Sequence, residues 1–451
     1  MTREASAGFS IRNRVWPGPR HLIIPACAAM ALGYSLPAYG QPVATDSGPA
    51  SVSSPPMSMD PAAGVTSQAP TASVSGRCPD GQTFSASMDM CMPAVPEEGG
   101  SLSFRLNQFA VYSDTSGPRG LARTTGPGLW MLMYERQLAP GNRIRVDVMG
   151  SAEQVTVGDR GTPQLLQTEN IDSMHPHDTI MAVEIRDTLD LDADGRSQLT
   201  ILFAPRGSAS YGPVPFMHRL SAEGNPDAPL GHDSQDGLHD VSTVLGLSYR
   251  RGPTTIEMTA FSGKGVSWPL PLHESDSWAV RINQTIGEHL GLGVSFADVL
   301  VSDDLGGVEH ERFAAAWLAG SHEIGGGHLY SSFVLGRHQT DGGPVSSSVL
   351  AEAVYRRGAD SVYGRAETLQ VARAQLDIGP PLGADEPRWV QAITVGYERR
   401  VVQRNGVTLS LGGSYTLDFV PDPFGPAYGD DPHGVKVYGR ISIDTASAPG
   451  F

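Results

Sequence analysis

From residue 102 onward, polar and apolar positions alternate in segments of about ten residues. Across 408–419, Leu409, Leu411, Tyr415, Leu417 and Phe419 share one face, while Thr408, Ser410, Ser414, Thr416 and Asp418 share the other. Across 435–444, Val435, Val437, Ile441 and Ile443 oppose Lys436, Tyr438, Arg440, Ser442 and Asp444. Across 278–286, Trp278, Val280, Ile282 and Ile286 oppose Ala279, Arg281, Asn283 and Thr285. A period of two means strands that are apolar on one side only. The pattern predicts strands near 102–113, 128–138, 143–152, 179–189, 197–205, 241–250, 254–262, 276–286, 290–299, 311–321, 327–337, 346–357, 361–373, 388–400, 405–418 and 435–444.

The connections between these strands alternate in length. Tight links (139–142, 190–195, 251–253, 287–289, 357–360) take turns with long ones (114–127, 153–178, 206–240, 263–275, 300–310, 374–387, 419–434), 338–345 being the shortest of the second set. A soluble sandwich need not alternate in this way. A transmembrane barrel does, with short periplasmic turns, long outer loops, an even strand count and a polar lumen. Closure also removes the sheet edges that lipid cannot satisfy. The expectation is an all-β fold, an antiparallel transmembrane β-barrel of about 16 strands, with a periplasmic β-rich domain as the alternative. No stretch in this region approaches the twenty apolar residues of a membrane helix.

The first hundred residues read differently. Arg3, Arg12, Arg14 and Arg20 precede an apolar run at 21–38, and Ala38-Tyr39-Gly40 offers a small-residue cleavage site, so 1–40 has the form of a secretory signal peptide. A membrane anchor or a lipoprotein at Cys27 are the competing readings. Residues 41–77, rich in Pro, Ser, Ala and Thr, form a linker that cannot bury a core. Residues 78–100 hold Cys78 and Cys91, a pair suited to a disulfide in an exported protein. Met88, Met90 and Met92 flank Cys91, and soft sulfur ligands of this kind suit Cu(I). Residues 101–451 are the expected barrel. The expected location is the Gram-negative outer membrane, with the N-terminal segment in the periplasm.

Charge narrows the partners. The chain has 451 residues, 18% charged, and a net charge of -16. Nucleic-acid binding needs concentrated Lys and Arg, and here the only lysines are Lys264 and Lys436. Lipid, small solutes and cations remain.

Histidines concentrate in two long links. His175, His177 and Asp178 end the 153–178 link; Met217, His218, His232, Asp236 and His239 lie in 206–240. A tight turn joins the fourth and fifth strands, so both groups belong to the same end of one hairpin. Imidazole, carboxylate and thioether together suit a transition metal, copper or zinc. The other reading is a hydrogen-bonded network of His, Asp, Gln and Arg that folds the two links into or over the lumen. The turn around Asp190, Asp192, Asp194 and Gly195 matches half a calcium loop, but position twelve is Ile201, so a solvated turn is the better reading.

Four blocks carry a resemblance. MHPHD at 174–178, PFMHR at 215–219, PLGHDSQDGLHD at 229–240 and PDPFGPAYGDDPHGVKVYGRI at 421–441 resemble an uncharacterised Gram-negative family of outer-membrane β-barrel proteins. That resemblance covers most of 100–444 and implies the barrel fold and a weak link to copper or other heavy-metal resistance. Asp233 stands where the family pattern has a second His, and Gly237 and Leu238 precede His239 where Thr is common.

Three functions compete. The first is an outer-membrane barrel that binds or passes copper or a similar metal. The second is a general porin-like solute channel whose lumen is lined by polar faces including Arg281, Arg440 and Asp444. The third is a lipid-modifying enzyme, for which His328 and Ser332 share a strand face without a visible third group. The expectation is that the protein is not an enzyme.

Overall fold

The computed structural model describes residues 82–85, 90–93, 100–158, 161–167, 171–172, 177–263, 272–302, 308–379 and 386–445. Within 78–100, strands β1 (Gln82–Ser85) and β2 (Met90–Pro93) pair as an antiparallel hairpin. The signal-peptide and linker expectations, Cys78, His175 and the terminal Phe451 lie outside the described residues.

Sixteen long strands close into an antiparallel barrel. In chain order they are β3 (Gly100–Thr115), β5 (Gly128–Ala139), β6 (Asn142–Gly150), β9 (Ala182–Asp190), β10 (Ser197–Gly207), β11 (Val241–Arg251), β12 (Thr254–Ser262) and β13 (Ser277–Ile286). They continue as β14 (Leu290–Ser302), β15 (Val308–Ile324), β16 (Gly327–Thr340), β17 (Val345–Arg357), β18 (Asp360–Val371), β19 (Arg388–Arg404), β20 (Val407–Phe419) and β21 (His433–Asp444). The ring closes where β21 pairs with β3, in register from Gly434 opposite Thr115 to Asp444 opposite Arg105. A short strand, β4 (Ala122–Thr125), pairs with Val111–Asp114, and β5 continues along the same neighbour from Gln108 to Gly100. The two together fill one place in the ring. A further two-residue pair, β7 (Thr162–Pro163) with β8 (Ile171–Asp172), lies within the link after β6.

The shortest barrel strands, β6, β9 and β12, have nine residues. Nine to eleven is what a tilted strand needs to cross the hydrocarbon of a bilayer. Several strands run beyond their periodic core. β15 and β19 reach 17 residues.

Sidedness follows the alternation. On β21, Val437 is 61% exposed while its neighbour Lys436 is 5% exposed. Leu411, Val395, Met258, Leu247 and Trp278 are likewise exposed, whereas Glu352, Arg365, Glu398, Ser410 and Arg440 are buried. Apolar residues out and polar residues in is the reverse of a water-soluble sheet. The inward wall is not uniformly polar, however. Phe261, Ala279, Ala297, Phe313 and Ala315 form an apolar patch, and Ala209 and Tyr211 of the link after β10 pack on it. That patch is dry because a loop is folded onto it.

Candidate functional site: a latched loop and a histidine group

The link 208–240 enters the barrel and meets wall strands on many sides. At its start, the Ser208 amide donates to Glu184 of β9 (3.0 Å). The Ser210 amide donates to Thr259 of β12 (2.9 Å), and the Gly212 amide donates to Ser295 of β14 (2.8 Å). Gly212 has φ +69°, and a Cβ there would lie 2.2 Å from the Gln235 carbonyl, so the turn requires glycine. Further along, Ser221 pairs with Ser332 of β16 at 2.7 Å, and Ser234 pairs with Ser348 of β17 at 2.6 Å. The Leu230 amide donates to Glu367 of β18 (2.6 Å). Lys436 of β21 makes an ion pair with Asp227, and Arg440 of the same strand reaches Glu223 at 3.0 Å. Contacts with β9, β12, β14, β16, β17, β18 and β21 place the loop across the barrel interior. It is not draped over one edge.

The centre of this latch is Arg219. Its Nε donates to Glu352 (2.8 Å) and its Nη1 donates to Asp236 (2.7 Å), with all three side chains essentially shielded from solvent. Glu352 also accepts from Ser221 (3.0 Å) and Arg365 (3.2 Å). Burial alone disfavours the Asp236 carboxylate, but Arg219 and His232 more than offset it and hold its pKa down to about 2. The base of the loop is tied by Arg206 at the end of β10, which pairs with Asp240 at 2.5 Å and with Asp178 at 2.7 Å.

The sequence-predicted histidines gather at this base. His177 is held twice by Glu153: its amide donates to Oε2 (2.7 Å), and its ring Nδ1 lies 2.9 Å from the same oxygen. Glu153 opens the short helix Glu153–Thr156, is itself buried, and accepts from the Gly128 amide at 2.9 Å. His232 Nδ1 lies 2.5 Å from Asp236 Oδ1. His239 Nδ1 faces the Asp236 carbonyl at 3.1 Å, and its Nε2 lies 3.4 Å from His177 Nε2. The His232 and His239 ring centres are 5.0 Å apart. Burial first, then His232 and His177, lower the His239 pKa well below the usual imidazole range. Burial, with help from Arg105 and His177, lowers His218 to about 4. Near neutral pH the His218 and His239 rings are uncharged bases.

The other candidates divide. Met217 packs against Met131, Met133, Met149 and Met181, a buried methionine group on the inner side of β5, β6 and the start of β9. Asp178 turns to Arg206, and Asp236 engages Arg219 and His232, so both carboxylates already serve cations or ring nitrogens. Among the described residues, no group of three or more His, Cys, Asp or Glu side chains is arranged as a complete metal-ligand set. Ser332 is hydrogen-bonded to Ser221 and faces the loop, while His328 stacks near Tyr330 with ring centres 6.4 Å apart. Sequence reasoning missed Glu153, Glu352 and the methionine group. Glu153 sits 24 residues before His177 with no pattern linking them; the methionines, inward on otherwise alternating strands, were visible in principle.

No family model matches the chain, and no curated protein matches it by sequence. Among solved structures it is similar to an anion-selective porin from Comamonas acidovorans, at 12% identity, TM-score 0.48, over 76% of this chain and 100% of that one. It is also similar to the outer membrane channel DcaP of Acinetobacter baumannii, at 10% identity, TM-score 0.45, over 78% and 99%. A loop-deletion form of OmpT, an outer membrane protein of Vibrio cholerae, is similar at 7% identity, TM-score 0.48, over 76% and 100%.

Proposed function

We propose that this protein is a porin-like channel of the outer membrane, admitting small hydrophilic solutes past a loop that narrows its lumen. The observation that carries the reading is the closed ring of sixteen strands with an apolar outside and a charged inside. A barrel of this strand number encloses water unless a loop occupies it. Here 208–240 occupies part of it, and a recess of about 260 Å³ remains between the loop and β16–β18, lined by residues including His232, Asp233, His338 and Gln370. The polar side chains lining it, among them Asp233 and His338 paired at 3.4 Å, suit hydrated solutes better than lipid. The short turns would face the periplasm, with β1 and β2 on that side, and the long links would face outward.

Planar-bilayer recording tests this. Full-length protein should give discrete, steady conductance steps, and a variant with 213–235 replaced by a short Gly/Ser bridge should give larger ones. Silence from both proteins, with folded barrels verified by circular dichroism, would overturn the reading.

A further inference from the structure

Two inward carboxylates of the wall have no cation at ion-pair distance among the described residues. Glu367 of β18 and Asp418 of β20 stand on one row, each directly opposite Ala392 of β19, the strand between them. Their backbones are two strand spacings apart, about 10 Å. Ala392 is short, and on the next row Thr394, Thr416 and Gly434 are small as well. A cavity of about 20 Å³ is left over this part of the wall. That is room for one water-sized group. The loop contributes Asp227 and Leu230 to its lining, and the link after β6 contributes Gln164.

The cavity is rich in acceptors and short of donors. Asp418 is 7% exposed, and among the described residues its carboxylate makes no hydrogen bond and no ion pair. Glu367, 8% exposed, accepts only the Leu230 amide, on Oε2. The Gln164 side chain donates to the Ala228 carbonyl (3.0 Å), but its buried Oε1 has no partner among the described residues. The neighbouring cations are committed. Lys436 pairs with Asp227 and donates to the Pro163 carbonyl (3.0 Å). Arg365 pairs with Glu352 and donates to the Asp227 carbonyl (2.7 Å), which leaves its Nη2 as a single open donor against several open acceptors. A buried carboxylate without donors is costly, and a cation that brings several N–H groups offsets that cost. Among the described residues no such group of side chains is arranged to hold a metal ion. An ammonium head suits the cavity better: it is about the size of a water molecule, carries one positive charge, and has three donors and no acceptor.

We infer that this cavity is a subsite for the ammonium group of a small primary amine, held by Asp418, Glu367 and the Gln164 side-chain oxygen. As the solute class of a channel the inference rests on the porin-like reading; as a binding site it does not.

Full-length protein in detergent is titrated with methylammonium and, separately, with tetramethylammonium, which has the same charge and no N–H donor, and binding is followed by saturation-transfer NMR. Methylammonium should bind saturably and at least about tenfold more tightly than tetramethylammonium. Asp418→Asn and Glu367→Gln keep the shape and remove the charge, and each should weaken methylammonium about 10–100-fold. Ala392→Leu fills the cavity while keeping both carboxylates, and should abolish binding. Equal affinity for the two cations, undiminished binding in the folded Asp418→Asn variant, or no methylammonium binding to the wild type would each overturn the subsite. Bilayer recording separates this from the channel reading. Steady conductance from a protein that does not bind methylammonium sinks the subsite and leaves the channel; binding without conductance does the reverse.

Discussion

Arg219→Ala is the most informative single perturbation of the latch. The guanidinium joins Glu352 on the wall to Asp236 in the loop, and all three side chains are almost fully shielded. Removing one member of a buried ion pair leaves a stranded charge and costs about 3–5 kcal/mol. Arg365 still reaches Glu352 at 3.2 Å and relieves part of that cost, so about 3 kcal/mol is the working figure for Asp236 and the loop. At about 1.4 kcal/mol per power of ten, loop opening becomes roughly a hundredfold more populated. Amide hydrogen exchange over 208–240 reads this directly, with loss of protection in the loop and little change in β16–β18. The control is Arg399→Ala. That arginine pairs with Asp360 at 2.8 Å, but both side chains are about half exposed, and a solvent-screened pair of this kind adds little to stability. Equal exchange rates in wild type and Arg219→Ala would refute the latch. Equal effects from the two arginines would refute the burial argument.

Other consequences follow from the same geometry. Gly212→Ala should loosen the loop by about 1–3 kcal/mol, because its Cβ collides with the Gln235 carbonyl at a positive φ; exchange in 208–214 reports it, and no change would contradict the turn assignment. Val437→Arg puts a charge on the exposed apolar face and should cost about 2–4 kcal/mol in vesicle-folded protein if that face meets lipid, measured by urea titration; an unchanged midpoint would argue for a water-facing exterior. Acid should loosen the loop. His218 titrates near 4 when folded against about 6.5 when unfolded, so its contribution is full above pH 6.5, declines as pH falls and is gone below about 4. Loop protection that rises between pH 7 and pH 4.5 would contradict this.

The barrel was legible in the alternation because period-two sidedness is a local property. Thr408 through Phe419 display it without knowledge of any partner strand. Loop lengths then gave the common rim, and the common rim placed His177 near His239, 62 residues on. What the sequence did not disclose is where a loop lands. Arg219 finds Glu352 across 133 residues, and Lys436 finds Asp227 across 209. No periodicity encodes such contacts, because a loop's path through a lumen depends on side chains from many strands at once. The inner wall also departs from the polar expectation at Phe261 and Phe313. Tyr211 covers them, and a residue covered by a loop has no need to suit water. Of the two readings of the histidine links, hydrogen bonding of this kind is seen in the structure: Arg219 and His232 both engage Asp236, and Gln235 donates to Ser348 of the wall.

The central claim is that 208–240 lies inside a closed barrel. A cysteine pair tests it: Ser221→Cys with Ser332→Cys, in a background where Cys27, Cys78 and Cys91 are serine. The two hydroxyls are 2.7 Å apart, one in the loop and one on the wall strand β16. Mild oxidation of the membrane-inserted protein should form the cross-link in high yield, seen as a linked tryptic pair by mass spectrometry. Free thiols at both positions after oxidation, on a folded barrel, would show that the loop lies elsewhere.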